Sequence, residues 1–322
     1  MKKYSTLLFA IILLIFVGLY LNSQKRSSTS TTSKASSLTS QSSQSSENGN
    51  IQLAFFNAKD EGGEIYLVNT NGKNLKKIYP NNLEKIISAT SADNKNILAL
   101  IQEGEGKNLY LLSIDGKTKK KIYDNYNFEQ TPTISSDNKK VTVVNFSNAD
   151  PNYGFTLNIL DLDSNNKNFI YSNTSGILYP HFINNNYIIF VEQQNNEIKI
   201  MKVNINTKQS DIIASYKNEQ IFSLSSCGQT IIYSKTLKNS AKSLEIYSIN
   251  LDGSNFHQIT KDNRSQNLPV CYQDGQFISY TLLNYPGGKI SSPLVGDIMV
   301  KESDSDQRVG QGDYPISFVI GG

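Results

Sequence analysis

Six short apolar runs recur along the chain: LAFF from Leu53, ILAL from Ile97, VTVV from Val141, IIFV from Ile188, IIYS from Ile231 and FISY from Phe277. Successive runs start 44, 44, 47, 43 and 46 residues apart, so six similar units fill residues 51–322. A fixed period of this length marks a repeat architecture. Within each unit a polar turn such as SADNKN (91–96) or SSDNKK (135–140) precedes the apolar run. An alternating stretch follows, EIYLVN (64–69) or EIYSIN (245–250), then an Asn/Asp-Gly turn and a last short segment such as KKIY or HQIT. Alternation with period two, bounded by Asx-Gly turns, predicts antiparallel hairpins. No long segment in this region has the 3.6-residue period of an amphipathic helix.

Four strands per unit, connected up and down, make a small twisted sheet with apolar residues on both faces. Such a sheet needs a neighbour on each side, and closing the stack into a ring leaves neither end bare. The predicted fold is all-β: a six-bladed β-propeller of four-stranded antiparallel blades. Unit one begins at its apolar run and lacks the segment that should precede it. The C-terminal YPISFV (314–319) echoes YPHF (179–182), which opens unit four. The last strand is therefore expected to pair beside residues 51–57 and clasp the ring, rather than to trail as a disordered tail.

The N-terminal residues change the picture of location. Tyr4 to Leu21 is an uncharged, mostly apolar run between Lys2/Lys3 and Lys25/Arg26. As a helix it rises about 27 Å, near the lower limit for crossing a bilayer core. Its end, VGLYLNSQ, lacks the small residues of a signal-peptidase site, so residues 1–26 read as an uncleaved transmembrane signal-anchor rather than a cleaved signal peptide. The free amine adds to the positive charge on the N-terminal side, which puts the N-terminus in the cytoplasm and the propeller outside it. Residues 27–50 form the linker. Of residues 27–46, 15 are Ser or Thr. That composition cannot bury enough apolar surface to fold, so the segment is expected to be a disordered tether.

The units SSDNKKVTVV (135–144), QDGQFISY (273–280) and EIYSINLDGSNFHQIT (245–260) resemble the propeller repeat of TolB, a WD40-like repeat. The resemblance covers residues 51–322 and implies an extracytoplasmic six-bladed propeller. In TolB an α/β domain precedes the propeller, whereas here an apolar run and a tether do. The envelope role of TolB is therefore not carried over.

Composition narrows the function classes. The net charge is only +3 and 18% of residues are charged, so no concentrated basic field exists to displace counterions from a nucleic acid. No cofactor fingerprint is present: EGEGKN (103–108) lacks phosphate-loop spacing, and DLDSNNKN (161–168) lacks the Gly and bidentate Glu of a calcium loop. Both read as hairpin turns. KTKKK (117–121) reads as a solvated strand edge. Propellers of similar type that act as metal-dependent sugar lyases use several His around the channel. This chain has only His181, in an inner strand, and His257, in an outer one, a poor metal set. Cys227 and Cys271 occupy repeat positions about three residues apart and are expected to be unpaired thiols, although the location permits a disulfide.

The remaining candidates are the loops on one rim, 123–132, 145–155 and 281–296. Tyr126, Phe128, Tyr153 and Tyr285 are the candidate contact residues, since aromatic rings are enriched at recognition hot spots. The alternative is that these rings pack their own loops. The expected function is a membrane-tethered, non-catalytic binding module for a protein or a cell-envelope polymer, with no catalytic residues, cofactor or metal. The alternative is a lyase or lactonase type of enzyme acting on a carbohydrate or lactone in the central channel.

Overall fold

The computed structural model describes residues 51–320 except 60–61, 80–84, 92–94, 127–130, 150–153, 195, 238–239, 262–263, 273–274, 284–295 and 303–304. The expected anchor and tether lie outside these residues. Among the described residues no helix is long and apolar enough to cross a membrane.

Strands follow the predicted grammar. The first unit supplies β1 (Ile51–Asn57), β2 (Glu64–Asn69) and β3 (Lys76–Tyr79), and the second β4 (Lys85–Ser91), β5 (Asn96–Glu103), β6 (Gly106–Ser113) and β7 (Lys119–Tyr123). The third contains β8 (Lys140–Ser147), β9 (Gly154–Asp161) and β10 (Lys167–Asn173). The fourth contains β11 (Ile177–Phe182), β12 (Tyr187–Gln194), β13 (Glu197–Asn204) and β14 (Ser210–Lys217). The fifth has β15 (Ile221–Cys227), β16 (Thr230–Leu237), β17 (Ser240–Asn250) and β18 (His257–Gln258). The last has β19 (Ser265–Tyr272), β20 (Phe277–Leu283), β21 (Gly296–Glu302) and β22 (Ser305–Gly312), followed by β23 (Tyr314–Ile320).

These strands form six antiparallel sheets, one per blade. β23 is the innermost strand of blade 1, pairing with β1 from Ile51↔Ile320 to Phe56↔Tyr314. The ring is thus closed by the two ends of the repeat region within one sheet. In blade 3 the innermost segment is reduced to a bridge between Ile134 and Val141. The Thr133 N–H is diverted to the Thr142 hydroxyl (2.9 Å), a side-chain acceptor competing with the ladder. The Asx-Gly turns hold Gly116 at φ 77° and Gly253 at φ 84°, a region that costs glycine little.

Packing explains why the second strand of each blade is apolar on both faces. In β1, Ala54 and Phe56 pack toward blade 2, while Leu53 and Phe55 pack toward blade 6. In β12, Ile188 and Phe190 join the core with blade 3, and Ile189 and Val191 the core with blade 5. One apolar cluster fills each of the six blade boundaries. Each fully buried Ile, Leu or Phe contributes roughly 1.5–3 kcal/mol, so a blade without both neighbours would expose far more than hairpin hydrogen bonds offset.

Candidate functional site

The inner strands are bent at a shared height. Pairing register slips at Ile86/Ser88 in β4, Leu178/His181 in β11, Ile221/Ser223 in β15, Asn267/Val270 in β19 and opposite Ala54/Phe55 in β23. Bulges of this kind re-aim side chains. In two of them the bulge is an X-Pro pair, Tyr179-Pro180 and Leu268-Pro269, with Tyr179 at φ 52° and Leu268 at φ 54°. Left-handed backbone at such bulky residues costs about 1–2 kcal/mol each and is held only by its surroundings.

The bulged strands enclose an axial cavity of about 510 Å³ to which every blade contributes, among others through Ser88, Thr133, His181, Ser225, Val270 and Tyr314. The described lining contains no Asp, Glu, Lys or Arg. Around it, every blade boundary is crossed by a polar link. Thr90 Oγ1 donates to Pro132 O (3.1 Å), Thr133 Oγ1 to Pro180 O (3.0 Å) and Ser226 Oγ to Phe182 O (3.4 Å). Ser223 Oγ donates to Asn267 Oδ1 (3.0 Å), Thr281 Oγ1 to Asp313 O (2.8 Å), and Ala89 N to the Tyr314 hydroxyl oxygen (3.1 Å). Hydroxyls a repeat apart thus lace the ring and occupy several inner-strand carbonyls.

Three polar groups in this wall keep unused hydrogen-bonding capacity. Burial alone lowers the His181 pKa to about 4, so the imidazole is neutral near pH 7. Burial likewise raises the Tyr179 pKa to about 12. Among the described residues neither the His181 ring nor the Tyr179 hydroxyl has a hydrogen-bond partner. Tyr314, whose pKa burial also raises, accepts from Ala89 but keeps its own proton free. All three rings line the cavity, with protein packed around them elsewhere.

The two cysteines correct the sequence reading. Cys227 and Cys271 form a disulfide with Cα atoms 5.7 Å apart. They lie 44 residues apart, one repeat, although they sit at different distances from the following apolar run.

Tyr126 is also corrected. It is no rim residue: its side chain is 1% exposed and packs with Leu98, Leu109, Val141 and Val143 between blades 2 and 3. Its amide donates to Lys107 O (2.6 Å). Phe128, Tyr153 and Tyr285, the other proposed contacts, lie outside the described residues.

Other sequence candidates resolve into local structure. His257 is exposed on β18, with Ser248 Oγ 2.9 Å from its ring, and lies far in sequence and strand position from His181 on β11. No group of three or more His, Cys, Asp or Glu among the described residues is placed to hold a metal. Asp161 begins the 161–168 turn by accepting from Ser164 N (2.9 Å), and Gly104-Glu105 close the β5–β6 hairpin. Lys120 and Lys121 are exposed on the outer strand β7. Off the axis, the buried Lys235 is bonded to Glu219 and lies 4.6 Å over Tyr247 and 4.9 Å over Tyr216. That cage is already occupied by the chain's own cation.

No protein-family model and no curated protein matches the sequence. Similarity appears among solved structures. The TolB structure from Acinetobacter baumannii aligns with TM-score 0.59 and 15% identity, over 84% of this chain and 66% of that one. A TolB-type protein of Agrobacterium tumefaciens aligns with TM-score 0.58 and 12% identity, over 84% of this chain and 91% of that one. An oligogalacturonate lyase in complex with manganese aligns with TM-score 0.54 and 15% identity, over 81% and 74%. The chain therefore has a TolB-like six-bladed propeller fold, and it spans just under two thirds of the Acinetobacter protein. The same fold occurs in an enzyme, so the fold does not assign the activity.

Proposed function

We propose that this chain is a propeller held outside the cytoplasm by residues 4–21, acting as a non-catalytic binding module for a protein or a cell-envelope polymer. The uncharged wall of the laced channel is the observation that carries this reading. A channel enzyme of lyase or lactonase type needs an acid and a base, or a metal-ligand set, converging on one point. His181 has neither a carboxylate nor a second imidazole beside it among the described lining residues. The ring of cross-blade links supports a rigid platform, the form on which recognition surfaces are grafted. The Cys227–Cys271 disulfide supports an oxidising compartment.

Two measurements test this. Protease added to intact cells should cleave the chain within residues 27–50 and release a folded body, and protection of that segment would place the propeller inside. Isolated envelope polymer should co-sediment with the full-length chain and be recovered at unchanged length. Failing that, a single protein partner should crosslink to it and co-purify stoichiometrically. Shortening of the polymer, or absence of both associations, would overturn the reading.

A further inference from the structure

We infer that the axial channel is a binding site for a neutral carbohydrate, read by Tyr179 and His181 on blade 4 and by Tyr314 on blade 1. This does not depend on what the rim engages, because the channel wall is formed by different strand positions.

The cavity, about 510 Å³, lies within the range of roughly 300–1,000 Å³ typical of small-molecule sites. Two unsatisfied polar side chains and one free phenolic proton face it from blades three steps apart in the ring of six. The polar atoms of Tyr179 and His181 are open to the cavity rather than sealed in protein, as Asn138 Oδ1 is. Water in the channel, or a ligand replacing it, must therefore complete these bonds. Tyr179 adds a separate sign: its left-handed φ of 52° turns a bulky ring at the bulge into the cavity wall. Strain retained at a cavity-lining residue points to use.

The chemistry of the wall selects the ligand class. A neutral imidazole offers one donor and one acceptor, and a phenol offers both, which matches vicinal hydroxyls that also donate and accept. Pro180, Pro269 and Pro315 supply apolar ring faces against which the C–H face of a sugar packs. A uronate or a zwitterion would be desolvated with no counter-charge in the described wall, a large penalty. An extended peptide needs acceptors for its N–H groups, yet the Pro180 carbonyl in the lining already accepts from Thr133.

The test is calorimetric titration of the full-length chain, in a detergent without a sugar head group, with four probes: maltotriose, N,N′-diacetylchitobiose, digalacturonate and trialanine. At least one of the two neutral sugars should bind saturably at pH 7, with digalacturonate and trialanine much weaker. Tyr179→Phe, which deletes one oxygen and leaves the packing, should weaken that binding roughly tenfold, as should Tyr314→Phe and His181→Gln. The thermal midpoint of Tyr179→Phe, whose hydroxyl bonds no protein group among the described residues, should be unchanged and so separates loss of recognition from loss of fold, whereas that of Tyr314→Phe should fall because Ala89 N loses its acceptor. No saturable binding of either sugar up to about 10 mM overturns the inference. So does tighter binding of digalacturonate or trialanine, or sugar binding that all three variants leave intact.

Discussion

Cys227 on β15 and Cys271 on β19 are covalently joined across the boundary between blades 5 and 6, their Cα atoms 5.7 Å apart. The same boundary carries Ser223 and Asn267, and Leu268 N donates to Ser223 Oγ at 3.1 Å. The bridge thus reinforces the boundary at which the positive-φ bulge at Leu268 meets blade 5.

Closing a loop of 44 residues restricts the unfolded chain and stabilises the fold by about 2–4 kcal/mol. Replacing both cysteines with serine should lower the urea midpoint accordingly, and dithiothreitol should shift the parent protein toward the variant without affecting the variant itself. Equal midpoints in oxidising and reducing buffer would show that the bridge contributes no stability.

Tyr126 separates an interior role from a surface one. As a ring filling the core between blades 2 and 3, Tyr126→Ala should destabilise by about 3–5 kcal/mol, the usual range for an aromatic deletion. Tyr126→Phe should cost under about 1.5 kcal/mol, since it keeps the packed ring and gives up a long contact from its hydroxyl to Thr142 O (3.5 Å). Chemical denaturation of both variants checks the ordering, and a Tyr126→Ala protein of parental stability would contradict the packing.

His181 makes stability fall on the acid side. Its folded-state pKa of about 4 is below the ordinary 6.5, so between these values the unfolded chain binds the proton and the folded one does not. The contribution is complete above pH 6.5 and is lost as pH falls toward 4. Comparing urea midpoints at pH 7, 5.5 and 4 should show a shallower acid loss in His181→Gln than in the parent. Parallel curves would mean that His181 titrates normally.

Asp313 has the opposite sign. Burial raises its pKa, against the opposing effects of the Ala58 N–H and Lys59, at the junction where β23 joins blade 1. A carboxyl protonated more readily in the folded state favours the fold at low pH, and that advantage is lost as pH rises through the folded pKa. Asp313→Asn keeps an acceptor for Ala58 and removes the charge. The variant should therefore match or exceed parental stability at pH 7, with its advantage shrinking toward pH 3. A large loss at pH 7 would show that the ionised carboxylate is needed to hold the clasp.

The repeat spacing and the two-faced apolar runs were sufficient to specify blade number, strand order and the closing role of YPISFV. Those features follow from local alternation and from the need of each sheet for a neighbour, both visible within a window of 45 residues. The Tyr-Pro pair shared by residues 179–180 and 314–315 was legible only as an echo supporting closure. Its place in the channel was not, because bulges shift side-chain aim by one residue without leaving a distinct mark in the sequence.

What the chain alone determined, then, is the ring: period-two patterning dictates strands, and apolar residues on both faces dictate circular stacking. Tertiary structure decided who meets across the ring. Ala89 and Tyr314 stand 225 residues apart in sequence yet share a hydrogen bond, Cys227 reaches Cys271, and Tyr126 turns from the rim into a core. Such pairings depend on register slips and on which inner strands face one axis, and no local pattern encodes a contact between blades.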